Sequence, residues 1–454
     1  MRKYLGLSIL LVAAAMLGTG AAAGEPTWKA GLAKAKITPK RPRWMTGFGH
    51  RLGAETLHDI WVKVLALESV DGHRAVVITS DVCGFSKLSY DAICAAIEKR
   101  SGLDRAQIML TCSHTHTGPA LRDSLFSCWP YADAEARASV EEYSRWLEKT
   151  IVDNVAEAFG DLKPAMLSAA EGATDFAVNR RHNSRDQIAE RLKRGEPLKG
   201  PVDHSVPTLI VRSPKGDLRA LVFGYACHTV TLATNQWSGD YAGFAMIDLE
   251  ESHPGLQAMF YQACGADQNT VARFSVEKCR KFGQMLATAV EDVLSKPSRP
   301  IKPTLRTTFG FHELPFRKTV TVAKLKELGA VQDYDGMLAR RLLEKLDEGD
   351  KLAASYPYPV QVWKLGGDQL WISLAGEVCV EYSLRFKKIY GPHTWTAGYV
   401  NDLVCYIPSE RILEKGGGQE PGSLWGYGLP AHDWAPGVED RIVTAVEHRV
   451  EQLK

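Results

Sequence analysis

Charge of one sign is what this chain most plainly lacks. Its 55 Lys and Arg against 53 Asp and Glu leave a formal net charge of +2. The basic residues are spread along the chain, which argues against a nucleic-acid or other polyanion-binding surface. Internal repeats and low-complexity blocks are also missing, so a solenoid or a disordered tail is not the organising feature. After the first residues, no segment approaches the ~18 uninterrupted apolar residues of a membrane-spanning helix. Nor does any stretch read as an amphipathic helix that docks on a membrane. Cysteine is limited to nine residues, an odd number whose spacing is not that of a small disulfide scaffold. Five of them, Cys112, Cys227, Cys264, Cys379 and Cys405, adjoin the motifs described below. They read first as small apolar fillers at crowded strand ends, with disulfides near the site as the alternative and thiolate ligation behind both.

What is present begins with a targeting segment. Arg2-Lys3 is a positive start, residues 4–17 are apolar, and Ala21-Ala22-Ala23 is a small-residue cleavage site. Residues 1–23 therefore read as a signal peptide, and export to the periplasm or medium is expected. With no cysteine beside the cleavage site, a lipid anchor is not expected. Residues 24–454 exceed the usual domain size of roughly 100–200 residues. They are read as one catalytic unit, because site candidates lie on both sides of the Pro297, Pro300, Pro303 cluster, which reads as a junction.

The spacing predicts strands over 62–68 and 74–79, a helix over 88–99 and a buried strand over 107–111, an α/β alternation. A long helix is expected over 140–159, closed by Gly160. Residues 175–201 have little apolar content and read as a long surface loop, a candidate lid. Strands are expected over 208–212, 220–226 and 257–261, with a helix over 275–294. Beyond the prolines come a strand (305–311), helices (322–327, 334–348), a hairpin (360–364 with 369–374), a helix (381–389), a strand (395–400) and a last helix from 438.

The most informative stretch is Cys112-Ser113-His114-Thr115-His116-Thr117-Gly118-Pro119, directly after an apolar run. Residues two apart on a strand face one side, so both imidazoles are expected in one cavity at a strand end. Alone, such a pair is more often structural than metal-binding. Three further polar residues stand at comparable places: His228 after the apolar run 221–227, Glu377 after the apolar run 370–376, and Tyr406 after the stretch 399–405. Polar groups where buried strands stop need water, a partner or a metal. Together with His114 they make a nitrogen and oxygen set suited to zinc with an open position for water.

These residues resemble the neutral/alkaline (non-lysosomal) ceramidases. The resemblance is carried by Ser113 to Pro119, Ala226-Cys227-His228-Thr229 with Ser238-Gly239-Asp240, Gly376-Glu377, and Gly398-Tyr399-Val400-Asn401 with Tyr406-Ile407. It spans about residues 30 to 430. It implies a zinc ion, one per chain, held by His114, His228, Glu377 and Tyr406, with His116 facing the substrate. It also implies an α/β fold of two mixed or antiparallel sheets flanked by helices, with the metal site at strand ends. Two features depart from that family. Its catalytic serine lies in a Gly-Asp-x-Ser-Pro-Asn loop, whereas this chain has Gly265-Ala266-Asp267-Gln268-Asn269-Thr270 and no serine nearer than Ser275. The ceramidases also carry an immunoglobulin-like domain after the catalytic part, for which this chain is too short.

The expectation is thus an exported zinc-dependent hydrolase acting on a small-molecule or lipid amide. Water on zinc, whose pKa falls to about 7, would replace the serine. Asp267 or His116 would move the proton, and Tyr406 or Gln268 would steady the oxyanion. Arg180, Arg181 and Asn269 are the substrate-binding candidates. Asp267 has a second reading as a cap for a helix or turn. Two competing functions remain at this stage. One is a zinc hydrolase of a glycan or ester, for which Trp425, Tyr427 and Trp434 could stack on sugars. The other is a metal- or ligand-binding relative that has lost turnover with the serine.

Overall fold

The computed structural model describes residues 27–49, 51–124 and 134–454; the expected signal peptide and Cys128 lie outside them. Two sheets pack face to face with helices on their outer faces. The larger runs in the order Gln257–Gln262, Leu218–Tyr225, Ser205–Arg212, Lys163–Ala173, Trp28–Lys36, Trp61–Glu68, Arg74–Ser80, Ile108–Cys112, and Arg299–Ile301 also pairs with Lys163–Ala173. The smaller runs Leu305–Pro315, Ser355–Leu365, Gln369–Leu374, Trp395–Ala397. Both are mixed, as expected: mostly antiparallel, with a parallel pair at each end of the large sheet and one in the small sheet.

Side-chain alternation along each strand feeds two different apolar layers. Leu65, Leu67, Val77, Met109, Val222 and Met259 face the small sheet, where they meet Trp363, Trp371 and Trp395. Their neighbours Val64, Ala66, Ile78 and Leu110 face helices Lys87–Ser101 and Ala134–Gly160. At the other end, Leu221, Phe223 and Phe260 face helices Asp240–Ser252 and Val276–Leu294. The outer face of the small sheet buries Val360, Val362 and Ile372 against Val380–Tyr390 and Val438–Glu451. Strands covered on both faces read as continuous apolar runs. Among the described residues, no helix is long and apolar enough to cross a membrane.

The large sheet curls until its two ends meet, strand Gln257–Gln262 touching Ile108–Cys112. Each end is a parallel crossover, so the C-terminal end of Ile108–Cys112 and that of Leu218–Tyr225 come together. This curl places the loops bearing His114 and His228 side by side, although they are 114 residues apart.

Three expectations are corrected. Residues 175–201 are not an unstructured lid: they contain strand Ala177–Asn179, paired with Gln268–Thr270, and helix Arg185–Lys193 anchored by buried Ile188. The proline cluster is not only a junction, since Arg299–Ile301 adds to the large sheet. The two histidines are not on the strand, which ends at Cys112; His114 takes a left-handed backbone with φ 56°. The eight described cysteines are all free and buried, with no disulfide among them.

Candidate metal centre

Three buried side chains converge where the sheet ends meet. The Nε2 atoms of His114 and His228 stand 3.2 Å apart, and Glu377 Oε2 lies 3.5 Å from the first and 3.1 Å from the second. His116 completes the group, its Nε2 3.2 Å from that of His114. The side chains of His114, His228 and Glu377 are at most 3% exposed.

The proton positions follow from the outer partners. His114 Nδ1 is 2.6 Å from the Cys83 carbonyl, and His228 Nδ1 is 3.1 Å from the Gly265 carbonyl. A carbonyl can only accept, so each Nδ1 carries the proton and each Nε2 turns a lone pair inward. Burial lowers the His228 pKa to about 4, so that the ring is neutral at physiological pH. Burial opposes ionisation of Glu377, while positive charge gathered at His114 and His228, whether a proton or a cation, pulls its carboxyl well below the usual carboxylate range. Glu377 Oε1 accepts a hydrogen bond from the Tyr427 hydroxyl, whereas Oε2 has no hydrogen-bond donor. Lone pairs and a carboxylate oxygen therefore face one another with no proton between the histidines. A cation resolves that repulsion, and an ion about 2.0–2.1 Å from each nitrogen in tetrahedral geometry would set them about 3.3 Å apart. The donor set fits a metal such as zinc.

The backbone is shaped to bring these groups in. Gly376 has φ 72°, and a Cβ there would stand 2.5 Å from the Cys405 carbonyl oxygen, so the approach to Glu377 needs glycine. A Cβ at Gly47 would strike the His116 ring. Tyr399, also left-handed at φ 59°, packs its ring 4.3 Å from that of His114 and sets its hydroxyl 3.4 Å from His228 Nδ1. Asn401 Oδ1 accepts the Leu110 N–H, and its own N–H donates to the Leu110 carbonyl, stitching the small sheet's loop to the edge strand. The Ser238 carbonyl takes the hydroxyls of Thr115 and Thr117, and Asp240 accepts the Leu232 N–H. The Ser238-Gly239-Asp240 motif thus braces both histidine loops.

The site opens into a cavity of about 430 Å³ lined by His116, His228, Glu377, Arg180, Tyr406 and Tyr427 among others. Tyr406 lies with its ring parallel to His228 at 6.3 Å, and its hydroxyl is 3.5 Å from Gln419 Oε1. Arg180 covers the Tyr406 ring at 5.4 Å. Arg180 and Arg181 both bind Glu420, and Arg181 also donates to the Gly416 and Gly417 carbonyls. These two arginines therefore hold the glycine-rich loop. Arg181 and Asn269 line a neighbouring cavity, not this one.

Asp267 and Gln268 are not brought into the cavity. Asp267 accepts from Asn179 Nδ2 at 2.8 Å and from the Val380 N–H at 2.9 Å, at the start of helix Val380–Tyr390. Gln268 donates to the Ala226 carbonyl and accepts the Asp203 N–H, while its own carbonyl takes the His228 N–H. Ser275 caps helix Val276–Leu294. The capping reading of Asp267 thus has a concrete partner, although on a helix remote in sequence. Asp267→Asn should cost about 1–3 kcal/mol, because an amide must aim its NH2 at one of two donors. Burial raises the folded pKa of Asp267 to about 6, above the unfolded carboxyl. Its contribution to stability is therefore lost as pH rises from about 4 to 6. Chemical denaturation across that range should show the slope in the wild type and not in Asp267→Asn, with metal content unchanged.

Tyr427, expected only as a sugar-stacking ring, and Cys83 and Phe48, which no expectation covers, also border the site. No motif marked them; each comes from a segment far from the histidines. Trp425 and Trp434 are buried and bonded to Asp335 and the Tyr406 carbonyl, which leaves them no open face for a sugar.

No protein-family model and no curated protein matches the chain. Among solved structures, a neutral ceramidase from Pseudomonas aeruginosa is similar over 94% of this chain and 75% of its own, at 17% identity and a TM-score of 0.70. A ceramidase complexed with C2 is similar over 93% and 76%, at 16% identity and a TM-score of 0.68. The chain has the neutral ceramidase fold, in agreement with the resemblance carried by its motifs.

Proposed function

We propose that this chain is an exported, divergent relative of the neutral ceramidases that cleaves an N-acyl amide bond with one zinc ion and a water molecule in place of a serine. The observation that carries the reading is the pair of facing Nε2 lone pairs, His114 to His228 at 3.2 Å, with both Nδ1 atoms committed to carbonyls. His114, His228 and Glu377 would hold the ion, with Tyr406 as a further ligand beside the open position for water. When bound, zinc polarises an acyl carbonyl and makes water nucleophilic near neutral pH.

The remaining work falls to side chains of the cavity wall. Burial holds the His116 pKa well below its ordinary value, so the ring is neutral and able to accept the proton of the attacking water. The water oxygen bonds to the acyl carbon, the C–N bond breaks, and His116 returns the proton to the leaving nitrogen. Arg180, fixed by Glu420, keeps positive charge beside the carbonyl oxygen as negative charge develops there. Gln268 acts at one remove, by positioning the His228 loop, and Asp267 ties Asn179 to the start of helix Val380–Tyr390.

The test is hydrolysis of a fluorescent short-chain ceramide and of matched fatty-acid amides. Turnover should be abolished by chelation and restored by added zinc. No cleavage of any amide by the zinc-loaded protein would overturn the reading.

A further inference from the structure

We infer that the substrate is an anionic amide of the N-acyl amino acid class, with a carboxylate close to the scissile bond, and that Arg273 binds this carboxylate. The inference rests on the hydrolase reading above. The metal-facing cavity continues past Arg180, Arg273, Gly418 and Gln419 into a second cavity of about 570 Å³. Five cations line that chamber (Arg180, Arg181, Arg185, Arg273 and Lys415), with Glu420 as the one carboxylate. Glu420 is already bound by Arg180 and Arg181, so it neutralises nothing else.

Arg180 and Arg181 are taken up by Glu420, and Arg185 and Lys415 are exposed to water, which leaves Arg273. It is half-buried, its Nε donates to the Val230 carbonyl at 2.9 Å, and no carboxylate of the described residues pairs with it. Its guanidinium lies 4.7 Å from the Phe274 ring and 5.6 Å from the Phe48 ring, and Phe48 in turn lies 5.1 Å from the ring of His116. The guanidinium therefore sits against two rings that meet edge to face, one of which touches the site itself. Phe274 adopts a left-handed backbone at φ 64° and keeps its side chain 49% exposed. That conformation is costly for a bulky residue and persists where the surroundings impose it. Here the strain places a phenyl ring against Arg273 instead of in the core.

A guanidinium taken partly out of water without a directly paired counter-charge is unfavourable. Burial and the neighbouring Arg180 charge lower its pKa by more than the Asp240 charge raises it. An incoming carboxylate would repair this, since its two oxygens match two parallel N–H donors of the fork. A neutral amide bearing hydroxyls offers no such compensation.

The test compares N-lauroylglycine with its neutral counterpart N-lauroylethanolamine, using the zinc-loaded full chain. Hydrolysis of the glycine conjugate should be at least about 10-fold more efficient in kcat/KM, and Arg273→Gln should bring the ratio close to one, with Arg273→Lys in between. Equal efficiency on the two amides, or equal losses in Arg273→Gln, would overturn the inference. If neither amide is cleaved, calorimetric binding of the same two compounds decides independently. Tighter binding of the glycine conjugate, lost in Arg273→Gln, would keep the anion site while the hydrolase reading falls. Equal binding of both would remove the anion site.

Discussion

His228→Ala should leave the protein without zinc and without amide hydrolysis. Loss of an outer partner of a metal ligand typically weakens metal binding 10–100-fold, and loss of a ligand itself should exceed 100-fold. The alternative is that His228 is a hydrogen-bonded core residue, and the geometry makes the two readings separable. A core histidine is satisfied by its neighbours, so its removal leaves a cavity and unpaired groups. Here the Nδ1 atom is satisfied by the Gly265 carbonyl, but Nε2 faces only the His114 Nε2 and Glu377 Oε2. In the metal-free protein these groups repel, so the alanine variant should unfold at a temperature close to that of the metal-free wild type. Added zinc should raise the melting temperature of the wild type, because it binds the folded state alone, and should not raise that of the variant. A variant that keeps its zinc, or whose melting temperature still rises with zinc, would remove His228 from the ligand set.

The second large effect is expected at Tyr427, which lies 50 residues beyond Glu377 and donates a hydrogen bond to Glu377 Oε1. This contact fixes the carboxylate so that Oε2 points at the two histidines. Tyr427→Phe keeps the ring and removes the donor, leaving Oε1 unpaired in a buried place and the carboxylate free to turn. Zinc affinity should fall about 10–100-fold, measurable by competition with a chromophoric chelator. Unchanged affinity, with at most a lower melting temperature, would make the hydroxyl a matter of packing only.

Much of the site could be read from the sequence because its ligands follow apolar strand runs, where a polar side chain needs a reason. His114, His228 and Glu377 stood out on that ground and do converge. The route to convergence was not legible. Strand alternation does not aim His114 and His116; a left-handed turn past the strand end does. Two long central strands, Trp28–Lys36 and Lys163–Ala173, also escaped notice. Their alanines and lysines have low strand propensity and are carried by neighbours on both sides. The resemblance would align Asp267 and Gln268 with the family's serine loop, yet adjacency along the chain does not decide side-chain direction: Asp267 turns to Asn179 and the Val380 N–H, and Gln268 to backbone groups. Tyr427, Tyr399 and Arg273 are set beside the histidines by sheet curl and loop crossings, which single residues do not reveal.

Elemental analysis of the protein, purified without chelator, tests the central claim most directly. About one zinc per chain is expected in the wild type, falling to background in His228→Ala under the same purification. Wild-type protein with no bound metal, and with a melting temperature that added zinc does not raise, would contradict the assignment of His114, His228 and Glu377 as a metal centre.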